Sequence, residues 1–182
     1  ILPNYTIRPE RGFTFELGYK RTIALKKWVG YWDAVAFWTE FKDMIEFKFN
    51  GKYTPAFQSQ NVNRARIFGL ETSLVGEGKM GPVDMNLMIG YTYYYAVDLN
   101  DTAWGMNERN KNVGKFLSDA FTRFALPTAK DDYTWDSLTA GMLKYRNPHT
   151  FKADLDFILF DKYHLGTSIQ YYSYMTQIDK VF

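Results

Sequence analysis

The chain has no cysteine among its 182 residues. That excludes disulfide staples, thiolate nucleophiles and thiolate-ligated metals. A chain that passes through an oxidising compartment also gains by carrying no thiol to mispair. Only two histidines are present, His149 and His164, with no His/Asp/Glu cluster at metal spacing. Long hydrophobic runs are missing too. The run Ala34 to Trp38 is five residues long, against the roughly 20 that a helix needs to cross a bilayer. Neither sign of charge dominates: 22 basic residues face 20 acidic ones, a net +2. This leaves no basic footprint for nucleic acid and no acidic tail. The chain starts at Ile1 rather than Met and shows no basic-then-apolar leader. Both ends read as cuts, so the sequence is expected to be an internal fragment.

What is abundant is aromatic. Phe, Tyr and Trp make up 19% of residues, yet the mean hydropathy is only −0.35. A lipid-facing β-barrel gives that combination, because apolar and polar residues alternate along every strand and average out. An aromatic-rich soluble sandwich gives it as well.

The dominant period is two, the signature of strands with one apolar and one polar face. Six strands are expected. The first, Gly12 to Ala24, sets Phe13, Phe15, Leu17 and Tyr19 against Thr14, Glu16, Gly18 and Lys20. The second, Tyr31 to Phe49, sets Val35, Phe37, Phe41, Ile45, Phe47 and Phe49 against Glu40, Lys42, Glu46 and Lys48, with Asp33 and Thr39 spoiling the apolar parity. The others are Ala65 to Val75, Val83 to Tyr95, Thr150 to Leu159 and His164 to Tyr172. Five of the six reach the roughly 9–11 residues that a tilted membrane strand needs.

The connections sort by length. Leu25–Gly30, Gly76–Pro82 and Phe160–Tyr163 are short, whereas Asn50–Arg64 and Ala96–Arg146 are long. A membrane barrel has short turns at one rim and long extracellular loops at the other. Tyr and Trp near strand ends (Tyr19, Trp28, Tyr31, Tyr93, Tyr94, Tyr95, Tyr145, Tyr163, Tyr171, Tyr172) read as interfacial girdles, although strands favour aromatics in any case. The expected fold is therefore all-β, an antiparallel transmembrane β-barrel segment. Six strands do not close such a barrel, and an open edge in lipid leaves backbone groups unpaired at several kcal/mol each. More barrel is expected to flank the chain.

Three motifs carry a family resemblance. Asn4-Tyr5-Thr6-Ile7-Arg8-Pro9-Glu10 with Glu16-Leu17-Gly18 resembles the Asn-x-x-Leu-Lys-Pro-Glu…Glu-x-Gly element in the barrels of TonB-dependent receptors. Asn61 to Glu71, with Ala65, Ile67, Gly69 and Glu71 in register, resembles their later Asn-x-x-x-Ala-x-Ile-x-Gly-x-Glu element. Tyr145-Arg146-Asn147-Pro148-His149-Thr150 is similar to their Arg-x-Pro-x-His lead into a downstream strand. The three occur in the family's order, in a style that resembles Bacteroidetes members. The resemblance implies a 22-stranded barrel with about six of its strands here, a plug domain and a TonB box outside this chain, and import driven through TonB. The implied partners are outer-membrane lipid, the protein's own plug and remaining strands, the TonB complex, and another outer-membrane protein or surface lipoprotein. The implied location is the bacterial outer membrane.

Physical roles can be attached to some motif positions. Pro9 lacks an N–H and suits a segment leading into a strand. Gly69 marks a bulge or a close approach. Glu16 and Glu71 fall on the polar face, either pairing with plug arginines or solvated in the lumen. No enzyme constellation is present: the serines lack a nucleophile elbow and Gly76-Glu77-Gly78 is no phosphate loop. No cofactor is called for. Asp98…Asp101 and Asp131-Asp132 read as ordinary loop acids rather than a calcium site. Ligand contact is expected in the long segment after the fourth strand, at Trp104, Arg109, Phe121, Arg123 and Trp135, because aromatics and arginine anchor recognition surfaces. Ser118 to Leu126 allows a short amphipathic helix there. That loop either closes over a substrate or packs on neighbours. Three functions remain open at this point: an energised importer of a siderophore, cobalamin-like compound or oligosaccharide; a receptor-like barrel serving as an assembly subunit; and a soluble sandwich adhesin.

Overall fold

The computed structural model describes residues 2–50, 56–100, 111–124 and 141–175. Six strands form one antiparallel sheet in chain order: β1 (Arg11–Leu25), β2 (Trp28–Asn50), β3 (Ala56–Met80), β4 (Val83–Asp98), β5 (His149–Leu159) and β6 (Tyr163–Tyr172). Among the described residues one helix, α1 (Val113–Phe124), lies between β4 and β5. Neighbours in sequence are neighbours in space at every step, even across the long connection from β4 to β5. The sheet is open, and among the described residues neither β1 nor β6 has a second strand partner. No described helix is long and apolar enough to cross a membrane.

Register decides the faces, because directly opposed residues point the same way. Phe15 stands opposite Trp38, which stands opposite Phe68, which stands opposite Tyr95. Leu17, Ala36, Leu70, Tyr93 and His149 form the next row. Leu74, Ile89, Ala153 and Ile169 form another. This face is apolar across all six strands. Its edge members are open: Phe13 is 64%, Leu17 70% and Ile169 53% exposed. They line no dry interior. The opposite face carries Thr14, Glu16, Lys20, Asp33, Glu71, Thr92, Lys152, Asp154 and Gln170.

One facing differs from the sequence reading. In β2 the expected apolar parity, Val35 and Phe37, lies opposite Gly18 and Glu16, on the polar face. The positions that join the apolar face are Trp32, Ala34, Ala36 and Trp38. Between Trp32 and Trp38 both parities carry apolar residues, and hydropathy over the whole strand favours the Val35 parity, so only pairing with β1 settles the facing. The same registers put Tyr31, Tyr94 and Tyr172 on the polar face rather than in an outward girdle.

The strands also run further than their periodicity shows. Residues 56–64, expected as loop, are strand, and so are residues 76–80. The long connection Asn50–Arg64 is therefore mostly a paired hairpin, with only residues 51–55 between β2 and β3. At 3.2–3.4 Å per residue, β2 and β3, with 23 and 25 residues, far exceed the roughly 9–11 residues that span a bilayer. Their outer third, residues 43–50 and 56–64, projects beyond the pairing with β1 and β4. The turns at the other rim are tight, residues 26–27, 81–82 and 160–162. Gly81 supplies one left-handed position there (φ 62°), and Phe160 and Asp161 supply two more.

Helix α1 starts earlier than its sequence signal, at Val113 rather than Ser118. Phe116 and Ala120 are fully buried against Tyr93, Tyr95, Val97 and Met142, so α1 covers the β3–β4 part of the apolar face from the Tyr93 row upward. The Tyr93 hydroxyl donates to the Ala120 carbonyl at 2.7 Å. Phe116 meets Trp38 edge-on at 5.1 Å. A second cluster (Met44, Val62, Ala65, Ala96, Leu143) fills the top of the polar face.

Candidate functional site

Two of the resembling motifs meet in space. The segment before β1 crosses the projecting β2–β3 hairpin like a strap. Leu2 bridges to Gln58 in parallel, and its N–H donates to the Phe57 carbonyl at 2.8 Å. Asn4 Nδ2 donates to the Ser59 carbonyl at 2.8 Å, while Asn4 Oδ1 accepts from the Thr6 N–H and hydroxyl. Further along, Asn61 Oδ1 accepts from the Arg8 N–H at 2.8 Å. Asn61 Nδ2 donates to the Arg8 carbonyl at 2.9 Å and to the Asp43 carbonyl at 2.6 Å. The Arg8 guanidinium pairs with Asp43 at 2.6 Å. Glu10 then accepts from the Ile45 N–H at 2.9 Å, satisfying a donor on the β2 edge that β1 leaves uncovered. Pro9, with no N–H to satisfy, sits between these two anchors.

Asp43 is the hinge of this arrangement, and the motifs do not contain it. Its φ of 56° is left-handed, a conformation that Asp tolerates better than most residues. Beyond it the alternation of faces is interrupted: Met44 and Val62 pack with Phe41, Ala65 and Ile67 on the polar-face side. A spoiled alternation with an acid at its centre is the only sequence signal for this position.

The glycines and glutamates of the same motifs form a second pattern on the polar face. Phe37 lies between Glu16 on β1 and Gly69 on β3, and Val35 lies between Gly18 and Glu71. The Phe37 ring occupies the space that a Cβ on Gly69 would need, and Val35 rests on Gly18. Gly69 is thus a site of close side-chain approach within an unbroken register, not a bulge. Glu16 and Glu71 remain exposed on this face.

The third motif ties the ends of β4, β5 and β6 together. Arg146 pairs with Glu46 at 3.0 Å. Pro148 is buried, and its carbonyl accepts from the Tyr94 N–H at 3.0 Å. Asn147 donates to the Ser173 carbonyl. The His149 N–H donates to Ser173 Oγ at 3.1 Å, and His149 Nδ1 hydrogen-bonds the Tyr91 hydroxyl at 2.7 Å. These contacts give His149 a packing and bonding role.

Of the residues expected to contact ligand, Phe121 lies on α1, 50% exposed and edge-on to Phe68 at 5.4 Å. It is on the apolar side of the sheet. Arg123 lies in the same helix, and its side chain is outside the described residues, as are Trp104, Arg109 and Trp135. The acids Asp101, Asp131 and Asp132 also fall outside them. Among the described residues no three His, Cys, Asp or Glu side chains gather at metal-holding distance.

A wall of long antiparallel strands, apolar on one face and charged on the other, with tight turns at one rim, is built to stand between lipid and water. The TonB dependent receptor-like β-barrel family model matches residues 1–180. A search of curated proteins returns no match. The chain belongs to the TonB dependent receptor-like β-barrel family, whose members are receptors of the bacterial outer membrane.

Proposed function

We propose that this chain is the wall and outer hairpin of a barrel that takes up a nutrient, either a siderophore-type chelate, a cobalamin-like compound or an oligosaccharide. Energy comes through TonB, and a plug fills the polar lumen. The observation that carries this reading is the separation of the two faces by register across all six strands. The apolar face meets acyl chains where α1 does not cover it. The polar face, with Glu16, Glu71, Lys20 and Lys152 pointing inward, meets water and plug. No bond is made or broken in this role. Substrate selection falls to the extracellular side, where the strapped β2–β3 hairpin projects beyond the other strands.

Transport of a labelled nutrient into cells carrying the whole receptor tests this. Uptake is expected to stop when tonB is deleted or the proton gradient is collapsed, while binding at the surface persists. Uptake that survives both refutes the energised reading. A stable surface partner without nutrient uptake would instead make the barrel an assembly subunit, for which the projecting hairpin offers a platform.

A further inference from the structure

Three cations stand side by side on the apolar face. Arg11 lies directly opposite Lys42, and Lys42 directly opposite Arg64. All three are exposed. Directly opposed residues have Cβ atoms about 4.5–5.5 Å apart, and like charges there repel. Among the described residues no carboxylate pairs with any of the three. Glu40, one row below, is taken by Arg66, whose guanidinium lies over the Trp38 ring. The row opens onto a depression of about 550 Å3 lined by Arg11, Phe13, Glu40, Lys42 and Arg64. Cations thus form its upper side, and Phe13 with the Arg66-paired Glu40 opposite it forms the lower one.

The height of the row fits an interface. Along β1 the face runs Arg21, Tyr19, Leu17, Phe15, Phe13, Arg11. Ten residues at about 3.4 Å each, tilted by roughly 40°, rise about 26 Å along the membrane normal, matching an apolar band of about 25 Å. Arg21 and Arg11 therefore bracket the hydrocarbon, and the Arg11 row lies at its outer margin.

We infer that Arg11, Lys42 and Arg64 bind the phosphate groups of a phosphorylated glycolipid in the outer leaflet. The cations neutralise the phosphates, and the acyl chains run down the column Phe13, Phe15 and Leu17. Repulsion that nothing in the described protein offsets is offset by the lipid. The inference rests on the apolar face pointing outward, and so on the barrel reading.

The test uses the whole receptor, purified from outer membranes and placed in neutral-lipid nanodiscs with phosphorylated glycolipid. Native mass spectrometry counts the lipid retained. The triple variant R11Q/K42Q/R64Q is expected to lose affinity about a hundredfold, from about fivefold for each cation near an anionic surface. Wild type with dephosphorylated glycolipid should behave like the triple variant. K26Q/K27Q, at the opposite rim, should bind as wild type does, and millimolar inorganic phosphate should displace nothing. If the triple variant does not insert, K42Q alone is expected to weaken binding about fivefold. Unchanged affinity in either variant, equal binding of dephosphorylated glycolipid or of phosphatidylglycerol, or displacement by phosphate alone overturns the inference. A receptor missing from the outer-membrane fraction fails differently: it defeats the barrel reading itself.

Discussion

Val35 and Ala36 are adjacent, and register gives them opposite surroundings. Ala36 stands between Leu17 and Leu70 on the apolar face, and Val35 between Gly18 and Glu71 on the polar face. Leu17 lies close to midway between Arg21 and Arg11, so Ala36 sits near the middle of the hydrocarbon. A lysine there loses its hydration with no partner in reach. The cost for Lys or Arg at the midplane is about 2–4 kcal/mol. A lysine at position 35 enters the wet lumen opposite Glu71, giving up only the packing of Val35 on Gly18, within about 1 kcal/mol of wild type. A36K should therefore be less stable than V35K by about 2–3 kcal/mol, some 30- to 150-fold in the folding equilibrium. Hydropathy alone gives the reverse order, because Val35 belongs to the parity with the larger apolar residues. The assay is folding of the whole receptor into lipid vesicles across a urea series, read by the different gel mobilities of folded and unfolded barrels. V35K costing as much as A36K, or more, would refute the register and the outward facing built on it.

Asn61→Ala removes two hydrogen bonds to the strap at Arg8 and one to the Asp43 carbonyl in β2, worth about 1 kcal/mol each before exposure is discounted. Amide exchange at Arg8 should rise roughly tenfold or more, with no change for Gln60→Ala. Gly69→Ala drives a methyl into the Phe37 ring and should cost about 1–3 kcal/mol. Phe37→Ala in the same chain should recover most of that loss, and a double-mutant cycle without coupling would show that the two do not touch. The Trp28 indole covers Gly76 and Gly78, and its N–H is buried without a partner among the described residues. Trp28→Phe should therefore cost less than about 1.5 kcal/mol and Trp28→Ala about 3–5 kcal/mol, measured in the same urea series.

The sequence alone determined the class of architecture. A two-residue rhythm with abundant aromatics and no long apolar run allows few folds, and the strands near Phe13, Leu87, Leu155 and Ile169 are legible because one parity in each is plainly the more apolar. The three motifs were legible as text but not as contacts. Asn4, Arg8 and Glu10 lie more than fifty residues from Asn61, and only pairing of β2 with β3 brings them together. Facing in β2 was beyond the sequence because Val35 and Phe37 compete with Trp32, Trp38 and two alanines, and a one-residue choice exchanges every side chain between lipid and lumen. Tertiary structure decided it through the partner strands: Gly18 and Gly69 leave room on the polar face for the larger residues, while the alanines meet Leu17 and Leu70. The cation row has the same origin. Arg11, Lys42 and Arg64 are scattered along the chain, and hydrogen-bonded register alone turns three unremarkable charges into one site.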